Sequence, residues 1–312
     1  PNGATIGTVS TTTVTIVNDD TVTDRVPPTV TTFSPSDEAT SVAVGSNIVV
    51  TFSEAIARGT GTIVLKTTNG ITVASYNAAT STNLSISGNT LTINPSSDFD
   101  IYTGYRFEVD GGAIKDLAGN SYAGVSDYNF KTTSIDSLYH FFVVAFNAAP
   151  GEEYMNQLAE AYNYGMSVSD IVDIFTTKNQ FTNTYQTSLS HSQLATALVG
   201  NVVKGSATDA VKAVAIADIT GALDAGWSVG RMIYQVFGNL STKPLTDPDW
   251  GGTAQQFINQ TTVARYYTEV TGAGGIDLTT LRAVIGSVDN YTDVSSPELI
   301  ATLIGVELAS MI

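Results

Sequence analysis

The chain has 312 residues, enough for two or three domains with separate cores, and it contains no cysteine, which excludes a disulfide-stabilised fold. Its 29 acidic and 13 basic residues give a formal net charge of -16, which excludes nucleic acid as a partner because its phosphates would be repelled. A low content of charge with abundant Thr, Ser, Asn, Ala and Gly is typical of secreted or envelope proteins and predicts an extracellular, cell-surface location.

The sequence shows neither a visible signal peptide nor an apolar run long enough to cross a membrane. It begins at Pro1 without a basic segment followed by an apolar one, so no signal peptide is visible, and we expect the chain to be part of a larger protein. The longest apolar run, residues 138–146, has about half the length of a membrane span. The sequence therefore predicts no transmembrane segment.

Residues 5–133 have the alternation that is typical of short β-strands. Apolar residues alternate with Thr, Ser or Asn, and Gly, Pro or Asn-Gly interrupt the runs, which predicts an antiparallel β-sandwich. Gly88 and Asn89 stand between two alternating runs and predict a two-residue hairpin turn. The stretch "KDLAGN" at 115–120 allows two interpretations: a tight turn, since Asp, Gly and Asn favour turns, or a group of oxygen ligands for a cation.

After residue 135 the pattern changes to apolar residues spaced three and four apart, which predicts helices. Ser167 or Ser169 is expected to cap one helix, and Pro297 is expected in the first turn of another. The segments 161–172 and 222–233 align without gaps at an offset of 61 and share a Gly-x-Ser-Val turn. This repeat predicts a duplicated helix-turn-helix unit that packs against its own copy.

Several motifs between residues 27 and 133 stand in a specific order: a Pro-x6-Pro opening, "IVVTFSE", "LTINP" and "IKDLAGN". Together they resemble the bacterial Ig-like domain of surface-layer and RTX-adhesin proteins, in which the last of these motifs is a turn before the final strand. Upstream, "GTVSTTTVTIVNDD" is similar to the last strand of a Calx-beta repeat. These resemblances favour the turn interpretation of "KDLAGN".

The helical half, residues 139–312, resembles DUF4214-like helical repeats and the envelope-anchoring region of surface-layer proteins secreted by the type I route. The resemblance rests on "GMSVSDIVDIFTTKNQF", "GWSVGRMIYQVFGNL" and "FINQTTVARYYTEV". The sequence therefore predicts a multidomain chain. It has a Calx-beta-like strand and acidic linker at 1–26, an all-β Ig-like antiparallel sandwich at 27–134, and an all-α helical-repeat domain at 135–312.

Calcium is the cofactor that the sequence supports. The linker supplies Asp19, Asp20 and Asp24, and Asp116 with Asn120 could join them, because a hard cation takes six or more oxygen ligands. The alternative is a solvated polar linker, since acidic clusters are often only surface.

The remaining chemistry is sparse. His140 lies in an apolar run and His191 at an expected helix start, and neither has the partners of a catalytic or zinc site, so no catalytic residue is predicted. Trp250 stands between helices beside Asp247 and Asp249. This arrangement predicts either glycan stacking or a Trp that clamps the connection onto the helices.

We therefore expect a non-catalytic structural or adhesive module of a secreted bacterial cell-surface protein. Its helical domain would bind envelope polysaccharide or lipopolysaccharide, or neighbouring copies of itself. The alternative is a pair of accessory domains from a large exported hydrolase, whose catalytic domain would lie outside this sequence.

Overall fold

The computed structural model describes residues 24–185 and 188–306, so the Calx-beta-like segment, Asp19 and Asp20 lie outside the described residues. Strands occupy the first part up to Thr132, and helices follow from Asp136. The predicted fold class, an all-β domain followed by an all-α domain, is confirmed.

The β-domain has two main sheets and a short pair. One sheet has the strand order β1-β3-β8-β7, the other has the order β2-β11-β9-β5-β6, and β4 pairs with β10. The pairing of β2 with β11 is parallel, which differs from the expected purely antiparallel sandwich. The strands are β1 Val30–Ser34, β2 Ala39–Val42, β3 Ile48–Phe52, β4 Ile56–Arg58, β5 Thr62–Thr67, β6 Thr72–Asn77, β7 Leu84–Ser87, β8 Thr90–Ile93, β9 Gly104–Val109, β10 Ile114–Asp116 and β11 Val125–Thr132.

The alternation of the sequence places every second side chain between the sheets. In β3, Ile48, Val50 and Phe52 are buried, and their neighbours are half-buried, as the two-residue period of a strand requires. The β7–β8 hairpin confirms the predicted two-residue turn: Gly88 has φ +58°, the positive value that a tight hairpin turn needs at its first central residue.

Ten α-helices and one π-helix make up the described part of the second domain. Ser167 caps α3 by accepting a hydrogen bond from the backbone of Asp170 at 3.1 Å, and Pro297 opens α10 as predicted. The helices are α1 Asp136–Phe146, α2 Gly151–Asn163, α3 Val168–Phe175, α4 Asn179–Thr184, α5 His191–Val203, α6 Asp209–Asp224, α7 Val229–Ser241, α8 Gly251–Arg265, the π-helix Tyr266–Val270, α9 Leu278–Gly286 and α10 Pro297–Leu303.

The predicted internal repeat is confirmed by matching backbone geometry. Gly165 and Gly226, which are 61 positions apart, end α2 and α6 with φ +90° and +89°. Ser167 and Ser228 then cap α3 and α7 in the same way. Helices α3 and α7 pack on each other, and the Ser228 hydroxyl donates to Asp173 Oδ1 at 2.6 Å. The two helix-turn-helix units therefore pack as a pair.

Helix α1 is the centre of the helical core. It contains the apolar run 138–146, in which all residues except the half-buried His140 are at most 1% exposed. Most aromatic residues of this domain pack around it, as their helical spacing predicts. In the described part of the chain, no helix has the length and apolar character needed to cross a membrane.

A buried glutamate joins the two domains. Glu269, in the π-helix, is 4% exposed, and its Oε1 accepts hydrogen bonds from the Ser134 backbone N–H at 3.0 Å and the Tyr139 hydroxyl at 2.8 Å. Its Oε2 accepts from the Ser41 hydroxyl of the β-domain at 2.5 Å. Arg265, one turn earlier, lies 3.1 Å from Oε1 and supplies the positive charge that a buried carboxylate needs.

Further contacts close the junction. The Asn163 side chain forms two hydrogen bonds with the backbone of Ile101, at 3.1 Å to its N–H and 2.9 Å to its carbonyl oxygen. Ile101 and Tyr102 of the β-domain belong to the helical core, and the Tyr102 hydroxyl donates to the Thr268 carbonyl at 3.3 Å. The two domains are therefore joined by a shared core and by a buried polar network.

The network predicts that Glu269→Gln destabilises the protein. The amide nitrogen would face hydrogen-bond donors, and Arg265 would lose its buried counter-charge, so we expect a loss of about 3 kcal/mol in the free energy of unfolding. Urea denaturation measures this loss. Glu153→Gln, at an exposed position of α2, is the matched control. A loss within about 0.5 kcal/mol of that control would contradict the role of Glu269.

Candidate metal centre

The stretch "KDLAGN" begins in β10 and forms a tight turn at its end. The backbone N–H of Asp116 donates to the carbonyl of Asn120 at 3.0 Å, and Gly119 takes φ +99°. Lys115 forms a bridge with Ser121, and β11 follows as the last strand. The turn interpretation is therefore confirmed. The turn also gathers oxygen atoms, so the cation interpretation stays a prediction.

Asn120 connects the turn to the start of the described chain. Its backbone N–H donates to Asp116 Oδ1 at 2.7 Å, and its side-chain amide donates to Asp116 Oδ2 at 2.7 Å. The same amide donates to the carbonyl of Asp24 at 3.0 Å. Three of the five residues predicted as calcium ligands, Asp24, Asp116 and Asn120, are thus brought together. The other two lie outside the described residues.

A third carboxylate, which sequence reasoning missed, completes the cluster. Strand β4 pairs with β10 so that Ile56 stands opposite Asp116, and this pairing brings Glu54 to the site. Carboxylate oxygens of Asp24, Glu54 and Asp116 all lie within 4.8 Å of one another. Asp116 is only 2% exposed, Glu54 is half-buried and Asp24 is exposed. We call these three residues the carboxylate cluster.

The carboxylate cluster combines partial burial with like charges. Burial raises the pKa of Glu54, and the charges of Asp24 and Asp116 and a hydrogen bond with Asp24 raise it further. Burial alone would also raise the pKa of Asp116, but hydrogen bonds from Asn120 and from the backbone of Gly119 and Ala118 lower it below its usual value.

The carboxylate cluster has no protein counter-ion in the part of the chain that the structure describes. Among the ion pairs formed within residues 24–185 and 188–306, none includes these three carboxylates. Each of the three carboxylates offers one oxygen of the donor type that a hard divalent cation such as Ca²⁺ takes, and water would supply the remaining ligands. The residues present therefore fit such an ion.

The residues considered for glycan binding have structural contacts. Asp247 Oδ1 accepts hydrogen bonds from the backbone N–H of Trp250 at 2.8 Å and of Asp249 at 3.0 Å, and both hydrogen bonds lower the pKa of Asp247. Trp250 is half-buried at the start of α8 and lines an apolar cavity of about 230 Å³ with residues such as Leu240. This geometry matches the alternative in which Trp250 clamps the connection onto the helices.

The two histidines also have structural surroundings. The ring of His140 lies 4.7 Å from that of Phe257 and 5.9 Å from that of Phe237, and burial lowers the pKa of His140 to about 4. His191 is the first residue of α5, as predicted, and its Nδ1 lies 2.7 Å from Asp224 Oδ1, with both side chains at least half exposed.

Comparison with known proteins defines the class of the first domain. Residues 24–132 match the family model of the bacterial Ig-like domain. The β-domain is therefore a bacterial Ig-like domain, as its motifs indicated, and such a domain fits a structural or accessory module.

Two solved structures have distant similarity to the chain. CopC from Methylosinus trichosporium OB3b is 14% identical, over 34% of this chain and 93% of its own, with a TM-score of 0.26. A polysaccharide lyase is 10% identical, over 83% of this chain and 47% of its own, with a TM-score of 0.20, so this chain spans about half of the lyase's length. No curated protein matches the chain.

His140 predicts an acid-sensitive step in stability. The folded-state pKa of His140, about 4, lies below its ordinary value of 6.5. Its contribution to the free energy of unfolding is therefore complete above pH 6.5 and is lost as the pH falls toward 4. We expect wild type to lose about 2 kcal/mol across this window relative to His140→Gln, whose side chain does not titrate. Urea denaturation at several pH values measures the difference in slope.

The control for this comparison is Ile258→Val, which changes an exposed side chain of α8 without a titratable group. It should keep the wild-type slope between pH 6.5 and 4. Equal slopes for wild type and His140→Gln would contradict the assignment of the acid-sensitive step to His140.

Proposed function

We propose that the chain is a non-catalytic structural and adhesive module of a secreted bacterial cell-surface protein. The observation that carries this proposal is the junction at Glu269, where side chains of both domains share one buried hydrogen-bond network. An Ig-like domain that is joined in this way holds the helical domain in a fixed orientation. A spacer on a flexible linker would not do so.

The surroundings of the titratable groups support a non-catalytic role. A general base works best with a pKa near the working pH and with a site that can hold a substrate. His140 instead packs between aromatic rings with a pKa of about 4. Glu269, the buried glutamate, uses both oxygens to join the domains. Both groups thus have structural partners in place of a substrate.

Calcium is proposed as the ligand of the carboxylate cluster. Asp24, Glu54 and Asp116 would bind the ion, and Asn120 would hold Asp116 and the backbone of Asp24 in place. The ion would neutralise the repulsion that raises the pKa of Glu54. It would also fix the start of the Ig-like domain, because Asp24 precedes β1 whereas Asp116 lies in β10.

The proposed partner is the bacterial envelope. A chain with a net charge of -16 would be repelled by anionic envelope polysaccharide, so binding needs either bridging calcium or contacts with neutral sugars. Packing against neighbouring copies is the second candidate partner, and the paired helix-turn-helix units, which already bind each other within the chain, favour it.

Glu54→Gln is expected to have opposite effects with and without calcium. Without the ion, wild type is destabilised as the pH rises through the raised pKa of Glu54. The variant should therefore have a melting temperature a few degrees above that of wild type at pH 7. Below pH 4.5 the two melting temperatures should be equal. With millimolar calcium, wild type should gain stability and the variant should gain less, since it lacks one ligand. Thermal melting in chelator and in calcium measures both effects.

The matched control is Glu298→Gln, which changes an exposed glutamate in the first turn of α10, away from the carboxylate cluster. It should respond to calcium as wild type does. If calcium leaves the melting temperature of wild type unchanged, the metal proposal is wrong and the cluster is only an acidic turn.

Envelope association tests the adhesive role. The full chain should sediment with isolated bacterial envelopes in calcium and be released by a chelator, and gel filtration in the same buffers would detect self-association. Sedimentation independent of calcium would indicate neutral sugar contacts. Absence of both envelope binding and self-association would contradict the proposed function.

A further inference from the structure

Two adjoining clefts lie at the junction of the domains. They have volumes of about 270 Å³ and 450 Å³, and both are lined by Tyr102 of the Ig-like domain and Asn156 of α2. We call the two together the junction cleft. Clefts between domains are frequent ligand sites, because two independent surfaces meet there and leave a concave space.

One wall of the junction cleft is a face of helix α2. Asn156, Glu160, Asn163 and Tyr164 are spaced i, i+4, i+7 and i+8, the positions that share one side of a helix. Tyr164 is 82% exposed at the end of the helix. The face thus presents the amide of Asn156, a carboxylate and an aromatic ring in a row, whereas the Asn163 amide is bonded to the backbone of Ile101.

The opposite wall is held in place by the domain junction. Asn163 binds the backbone of Ile101 at 2.9 Å and 3.1 Å, and Tyr102 at the floor is 4% exposed. Lys131 Nζ lies 3.6 Å from the centre of the Tyr102 ring and 3.2 Å from Glu152 Oε1. Because both walls are fixed before any ligand arrives, binding would not have to order them.

We propose that the junction cleft binds a neutral saccharide, which would give the proposed adhesive function its ligand class and therefore rests on that function. Side-chain amides donate and accept hydrogen bonds with sugar hydroxyls, carboxylates accept them, and an exposed tyrosine offers a flat apolar surface to a sugar ring. Asn156, which lines both clefts, is the central contact, and Tyr164 forms the rim.

The charge of the cleft selects against other ligands. Asp100 and Glu160 line the smaller cleft, and the one lysine of the larger cleft is paired with Glu152, so an acidic saccharide would meet uncompensated negative charge.

Calorimetry with the full chain tests this proposal. The probes are neutral oligosaccharides of hexose and N-acetylhexosamine, with uronic-acid oligosaccharides and spermine as charged comparisons. We expect a neutral oligosaccharide to bind and Asn156→Ala and Tyr164→Ala each to weaken its binding about tenfold. Gln235→Ala, an exposed amide of α7 that lines neither cleft, and Tyr291→Ala, with 87% exposure elsewhere, are the matched controls and should bind as wild type does.

The outcomes separate this proposal from the proposed function. If no neutral oligosaccharide binds, or if only charged probes bind, or if the two cleft variants bind as wild type does, the junction cleft is not a saccharide site. If the cleft variants still sediment with envelopes, the junction cleft is not the site of adhesion, and the adhesive role itself stands. Saccharide binding without envelope sedimentation would support the junction cleft as a saccharide site and would contradict the adhesive role.

Discussion

The burial of Glu269 is the constraint on which the arrangement of the two domains depends. A carboxylate that is removed from water is costly unless hydrogen bonds and a counter-charge compensate it, and here the partners come from β2, from the connection between the domains, from α1 and from Arg265. Separation of the domains would remove Ser41 from this network. The polar contact therefore specifies one orientation of the two domains, whereas Ile101 and Tyr102 contribute buried apolar surface to their contact.

The features that the sequence predicted are local ones. The turn at Gly119, the hairpin at Gly88 and the cap at Ser167 each depend on the backbone preferences of one or two residues, which a short stretch of sequence contains. The repeat was also predictable, because its copies keep the same Gly and Ser positions. The parallel pairing of β2 with β11 was not, since alternation gives the face of a strand and not its neighbour.

The candidate sites depend on contacts between distant parts of the chain. Glu54 is the last residue of the motif "IVVTFSE", which does not indicate a metal site. Only the pairing of the three-residue strands β4 and β10 brings it to Asp116. Glu269 looked like an ordinary polar position of a helix, and nothing near it in the sequence indicates burial. The face of α2 in the junction cleft reads as a solvated helix surface until the Ig-like domain is placed beside it.

The π-helix makes the junction sensitive to insertions and deletions. In this turn the backbone N–H of Thr271 bonds the carbonyl five residues back, at Tyr266, so the turn holds one residue more than an α-helix would. Each residue turns a helix by about 100°, so loss of one residue here would rotate Glu269 away from Ser134. Exposed connections elsewhere can change length with little effect on the core, whereas the spacing of this one turn is fixed by the neighbouring domain.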